Sequence, residues 1–91
     1  MKPTIHPHPA ADTTTAIAEA IRSVSARARQ VTITRQSLLL EDLALDSLDL
    51  VAVVVELQDR YDVEIDPDEI TAIRTVGDLA ESLERHLRLA A

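Results

Sequence analysis

From Ser47 to Tyr61 the chain runs without a Gly or Pro, and its apolar residues recur at the spacing of an α-helix. At about 100° per residue, Leu50, Val53, Val54, Leu57 and Tyr61 fall on one stripe of that helix, and Leu48, Val51, Ala52 and Val55 fall on another. Asp49, Glu56 and Arg60 separate the stripes on one side, with Ser47 and Gln58 on the other. A chain of 91 residues makes one domain with a modest core. It can hardly bury both stripes. The first is longer and holds Tyr61, the only aromatic residue, so it is assigned to the core, where it would also border any space for a bound ligand. The second is expected to stay at least partly exposed beside Ser47, as a binding surface.

The remaining helices are expected around this one. Asp12 and Thr13 to Thr15 offer N-caps, and Ile17, Ile21, Val24 and Ala28 recur at helical spacing, which predicts a first helix over about 14–29. Residues 1–11 hold three Pro among small and polar residues and are expected to be a flexible tail ahead of a domain over 12–91. Val31 to Thr34 has β propensity but no second strand to pair with, so a long loop pinned by Leu39 and Leu43 is expected up to Asp46. Asp46 is the expected N-cap of the central helix, with Asp49 completing a capping box. Asp66-Pro67-Asp68-Glu69 starts a short helix ending near Ala72. Thr75, with Asp78 three residues on, caps a last helix with an apolar face of Val76, Leu79, Ala80, Leu83 and Leu87. The predicted fold class is therefore all-α, a small bundle of three main helices plus one short helix. Its expected core includes Tyr61, Leu57, Leu79 and Leu83.

Charge narrows the partners. The net charge is −7, but residues 41–69 hold eleven acids against Arg60 alone, whereas 1–40 carry a net +3. An acidic block of this size repels nucleic acid and anionic lipid and suits proteins with basic patches. There is no Cys, hence no thiolate nucleophile and no cysteine metal site. His6 and His8 are read as tail rather than metal ligands. No stretch approaches the roughly 20 apolar residues of a membrane span. The one Gly, Gly77, rules out a glycine-rich phosphate loop, and nothing resembles a nucleophile held by its own base. The chain is not expected to be an enzyme. A monomer in the cytoplasm is the expected state.

The informative segment is Glu41-Asp42-Leu43-Ala44-Leu45-Asp46-Ser47-Leu48-Asp49-Leu50-Val51, which places a Ser at the mouth of a helix beside two Asp. An isolated Asp-Ser-Leu would be read as a helix cap. Here the run continues through Glu56 to Asp66, an acidic helix ending in Tyr61 and then Asp62-Val63-Glu64-Ile65, and on to Thr75-Val76-Gly77-Asp78-Leu79. In that order and spacing, over residues 38–87, the sequence resembles the acyl carrier protein family.

The resemblance implies that Ser47 is the attachment point of a 4'-phosphopantetheine group, donated by coenzyme A through a phosphopantetheinyl transferase. Acyl groups would then travel as thioesters on the arm's thiol, to acyl-processing enzymes with basic docking patches, such as synthases and acyltransferases of fatty-acid, lipid or polyketide biosynthesis. Asp46, Leu48, Asp49, Val51, Val55, Glu56 and Asp59 are the expected partner-binding residues. An aminoacyl or peptidyl carrier and an unmodified acidic adaptor are the alternatives. Two departures stand out: Ala44 occupies a position where the family usually has Gly, and Ala52 one where many members have Glu. They suggest a specialised rather than a housekeeping member.

Overall fold

The structure is a computed structural model that describes residues 9–90. Four α-helices account for most of these residues: α1 (Pro9–Val24), α2 (Ser47–Tyr61), α3 (Pro67–Ala72) and α4 (Val76–Ala90), with a 3-10 turn at Arg27–Gln30. α1 packs against both α2 and α4. No strand occurs among the described residues, only an isolated bridge between Leu38 and Thr75. The all-α expectation holds.

The first helix differs from the expectation at both ends. It begins at Pro9, within the stretch read as tail, because proline is accepted at a helix's first position. The readings of His6 and His8 lie outside the described residues. Thr13 and Thr14 sit inside the helix and make tertiary contacts. Thr13 Oγ1 donates to Glu84 on α4 at 2.7 Å, and Arg35 donates to Thr14 at 3.1 Å. The helix ends at Val24 rather than near Arg29. There Ser25 is buried, and its hydroxyl donates to the Leu43 carbonyl at 2.9 Å and accepts from the Ala28 amide. Ala28 is still buried, carried inward by the 3-10 turn.

The long loop is held by what it buries and by what it is stitched to. Leu39, Leu43 and Leu45 are all buried. The Leu39 amide donates to the Arg74 carbonyl, and the Val76 and Gly77 amides donate back to Ser37 and Arg35. That last contact explains the single glycine. A Cβ on Gly77 would lie 3.0 Å from the Arg35 carbonyl oxygen, so a side chain there would press that carbonyl, which holds the loop to the start of α4, a few tenths of an ångström outward.

α4 starts with a reciprocal cap. The Asp78 amide donates to Thr75 Oγ1 at 3.0 Å, and the Thr75 amide donates to the Asp78 carboxylate at 3.1 Å. The backbone N–H of Arg74, then that of Thr75, holds the Asp78 carboxyl below its usual range.

The core combines Ile17, Ala20 and Ile21 of α1, the first stripe of α2, and Val76, Leu79, Ala80 and Leu83 of α4. Leu57, Leu79 and Leu83 are fully buried, as expected. Tyr61 is only partly buried and packs on the edge of the core, because it lies in the last turn of α2 beyond its most enclosed part.

α3 is the exception to this pattern, since none of its residues is buried. Glu69 connects it to α4. Ser82 Oγ donates to the Glu69 carboxylate at 2.7 Å, Arg85 at 3.1 Å, and His86 Nε2 lies 2.9 Å away. The hydrogen bond from Ser82, then that from His86, outweighs the burial cost and holds the Glu69 carboxyl at about 2, against an ordinary 4.5.

Candidate functional site around Ser47

The approach to Ser47 is a tight, buried-then-exposed path. Leu43 and Leu45 point inward, and the residue between them, Ala44, is exposed with φ of 57°. That left-handed conformation is easy for Gly and costs a residue with a Cβ about 1 kcal/mol. The loop thus keeps the shape a glycine would favour, and the chain carries the strain immediately before its functional segment.

Asp46 then caps α2. Its carboxylate accepts from the Asp49 amide at 2.8 Å, and the Asp49 carboxylate accepts from the Asp46 amide at 3.2 Å. Both halves of the capping box are present. This disposes of the plainest reading of Ser47, that it caps the helix, because Asp46 does so. Ser47 is the first residue of the helix and is exposed.

α2 divides as its periodicity predicts. Leu50, Val53, Val54 and Leu57 are 8% exposed or less, whereas Leu48 is 78%, Val51 45% and Val55 46% exposed. Ala52 and Asp59 are exposed on the same outer side. Glu56 is also exposed, but it faces α1, where Ser23 donates to it at 3.1 Å, and Arg60 beside it pairs with Glu19 at 3.0 Å. The expected partner surface therefore divides. Leu48, Val51, Val55 and Asp59 are open, Asp46 and Asp49 are exposed or half-exposed but partly committed to the cap, and Glu56 is engaged with α1.

Beside Ser47 lies an apolar groove of about 460 Å³. Leu50 and Val51 of α2 form one wall and Pro67, Ile70 and Thr71 of α3 the other, with Leu40 of the loop and Ile73 after α3 completing it. The sequence reading placed any such space along the whole core stripe. Instead only Leu50 of that stripe borders it, because the groove opens on the Ser47 side, between the two stripes. The α3 wall and Leu40 were missed. Their signal is weak in the sequence: Pro67, Ile70 and Ile73 recur at helical spacing, and Leu40 ends a Leu triplet.

Residues 15–83 match the family model described as the phosphopantetheine attachment site. The chain belongs to that family. Its fold is similar to that of an acyl carrier protein from Thermotoga maritima, with a TM-score of 0.81 at 21% identity over 96% of this chain and 100% of the other. A chain from Mycobacterium tuberculosis described as a candidate acyl carrier protein aligns with a TM-score of 0.67 at 28% identity, over 86% of this chain and 97% of its own. The chain is thus a phosphopantetheine-bearing carrier with an acyl-carrier-protein-like fold, of a class whose members hold 4'-phosphopantetheine covalently and are not themselves catalysts. Carriers of the acyl-carrier-protein kind act with a phosphopantetheinyl transferase and with acyl-processing enzymes. No helix among the described residues is long and apolar enough to cross a membrane.

The residues around the helix start suit such a group. Attachment needs an exposed hydroxyl, free of capping duty, which Ser47 supplies. A phosphodiester needs a place for negative charge, and the N-terminal end of a helix favours it.

Proposed function

We propose that Ser47 is the attachment residue, and that the chain carries acyl groups for a dedicated lipid or polyketide pathway rather than for bulk fatty-acid synthesis. The observation that carries the attachment site is the division of labour at the start of α2: Asp46 caps and Ser47 stands exposed beside it. In the transfer, the Ser47 oxygen bonds to the phosphorus of coenzyme A that bears the pantetheine. The pyrophosphate P–O bond breaks, adenosine bisphosphate leaves, and the hydroxyl proton passes to a base of the transferase. Once bound, the group supplies a thiol that holds acyl chains as thioesters, which a chain without Cys lacks. α2 keeps the attachment point rigid through its buried stripe, and the groove of Leu50, Val51 and Ile70 gives an apolar chain somewhere to lie out of water.

The dedicated pathway is supported by Ala52 and by the open apolar patch of Leu48, Val51 and Val55, which asks for partners with an apolar seat inside a basic rim. Asp46, Asp49 and Asp59, with Glu56 toward α1, supply the steering charges. The cytoplasm is the proposed location, with the chain acting as a monomer.

Incubation with a phosphopantetheinyl transferase and coenzyme A, followed by intact-mass measurement, tests the site. One phosphopantetheine should be added to the wild type and none to Ser47→Ala, with both giving the same helical circular dichroism. Modification of Ser47→Ala would place the attachment elsewhere. Rates measured against salt test the steering: they should fall as ionic strength shortens the reach of the charges to about 8 Å at physiological salt.

A further inference from the structure

α3 forms one wall of the groove, yet it has only six residues and none is buried. A helix so short does not persist on its own. Ile65 before it and Ile73 after it are buried and moor its ends. Between those moorings Ile70 is only partly buried, and an open cleft of about 210 Å³ lies against Glu69, Ala72, Glu81 and Ser82. Apolar packing between α3 and α4 is therefore incomplete on that side. What bridges them is the Glu69 carboxylate, which takes hydrogen bonds from Ser82 and Arg85 and lies within bonding distance of His86, three residues on one face of α4. Glu69 and Ile70 are neighbours in sequence that serve different sides: Glu69 reaches α4, while Ile70 lines the groove with Leu50 and Val51.

We propose that Glu69 is a positioning residue: by fastening α3 to Ser82, Arg85 and His86, it holds Ile70 against the groove and so sets how well an apolar chain tethered at Ser47 is shielded from water. The shielding half of this statement rests on the reading of Ser47 as the attachment residue. The fastening half does not. Charge-assisted hydrogen bonds suit the task because they are directional and reversible. A wholly apolar contact would hold α3 just as close but would not choose the rotation that turns Ile70 toward α2.

The test uses the full chain with Glu69→Gln and the more severe Glu69→Ala. Glu81→Gln, an exposed change on the same cleft, is the control. In the unmodified protein, amide hydrogen exchange should show protection over 68–72 falling about tenfold in the Glu69 variants, in line with the loss of one hydrogen bond to a charged group. α1 and α4 should keep their protection, and the control should match the wild type. Unchanged protection in α3, or an equal fall in every helix, would overturn the proposal in favour of no role or of a merely global one. The second measurement loads wild type and variants with an acetyl or an octanoyl thioester and follows cleavage by hydroxylamine. Octanoyl cleavage should quicken in the Glu69 variants while acetyl cleavage stays the same, since only the longer chain reaches the groove. Equal acceleration of both, or of neither, would sink the shielding role. A wild type that accepts no group would overturn the carrier reading and the shielding role with it, while the exchange result on the unmodified chain still judges the fastening.

Discussion

The two walls of the groove are built by different physics. α2 is anchored by Leu50, Val53, Val54 and Leu57, all buried in the common core, and its start is locked by a full capping box. α3 has no fully buried residue, only Ile70 half-buried against the core, and is fastened through the carboxylate of Glu69. Apolar burial has no charge to titrate and is shared among many contacts. A polar clasp depends on the charge of one group and on a few distances. The comparison shows why the attachment residue belongs on α2: a reacting group needs a fixed platform, and the opposite wall can be the one that yields.

The largest effect should come from breaking the α2 anchor. Leu57→Ala empties a fully buried position and should cost about 2–5 kcal/mol, read as a fall in the midpoint of urea unfolding that all helices share. If α2 melted separately from α1 and α4, the single-core account would fail.

Acid should then act on α3 ahead of α2. The folded Glu69 carboxyl is held at about 2, below its ordinary 4.5. A depressed carboxyl stabilises the fold fully above the ordinary value and loses that contribution as pH falls from about 4.5 through 2. Amide exchange, corrected for its intrinsic pH dependence, should show α3 loosening in that window while the buried middle of α2, from Val53 to Leu57, keeps its protection. In Glu69→Gln the difference between the two helices should no longer change with pH there.

A smaller gain is expected at the approach to Ser47. Ala44→Gly relieves a left-handed residue in the loop leading to α2 and should raise stability by up to about 1 kcal/mol, reduced by the extra freedom of Gly in the unfolded chain. Thermal denaturation checks the sign. A loss of stability would mean that Ala44 is not strained.

The smallest stability effect belongs to the outer face of α2. Val51→Ala and Val55→Ala should change stability by about 0.5 kcal/mol or less, as at other exposed positions, yet slow phosphopantetheine transfer or acyl delivery. Should they destabilise as much as Leu57→Ala, the division of α2 into an inner and an outer face would be wrong.

Much of this was legible in the residues. The two stripes of α2 follow from 100° steps along Ser47–Tyr61, and Asp46 with Asp49 and Thr75 with Asp78 announce their caps, because helical periodicity and capping are local properties. The run around Ser47, with the segments that follow it, was enough to raise the carrier family before any coordinates. Less local features were out of reach. Thr13 and Thr14 read as caps because a hydroxyl that caps and one that reaches Glu84 or Arg35 look alike in a one-dimensional pattern. The start of α1 at Pro9 was misread for the same reason, whereas the partial exposure of Tyr61 follows from how far the core reaches along the last turn of α2. Tertiary structure alone decided that Gly77 lies close against the Arg35 carbonyl, that Ala44 takes a positive φ, that Glu56 turns to α1, and that Glu69 meets Ser82, Arg85 and His86. Each depends on groups distant in sequence, or on the loop path between them, and only the packed chain brings these together. The groove is the clearest case, since its walls come from the loop, α2 and α3, and none of the three contains it alone.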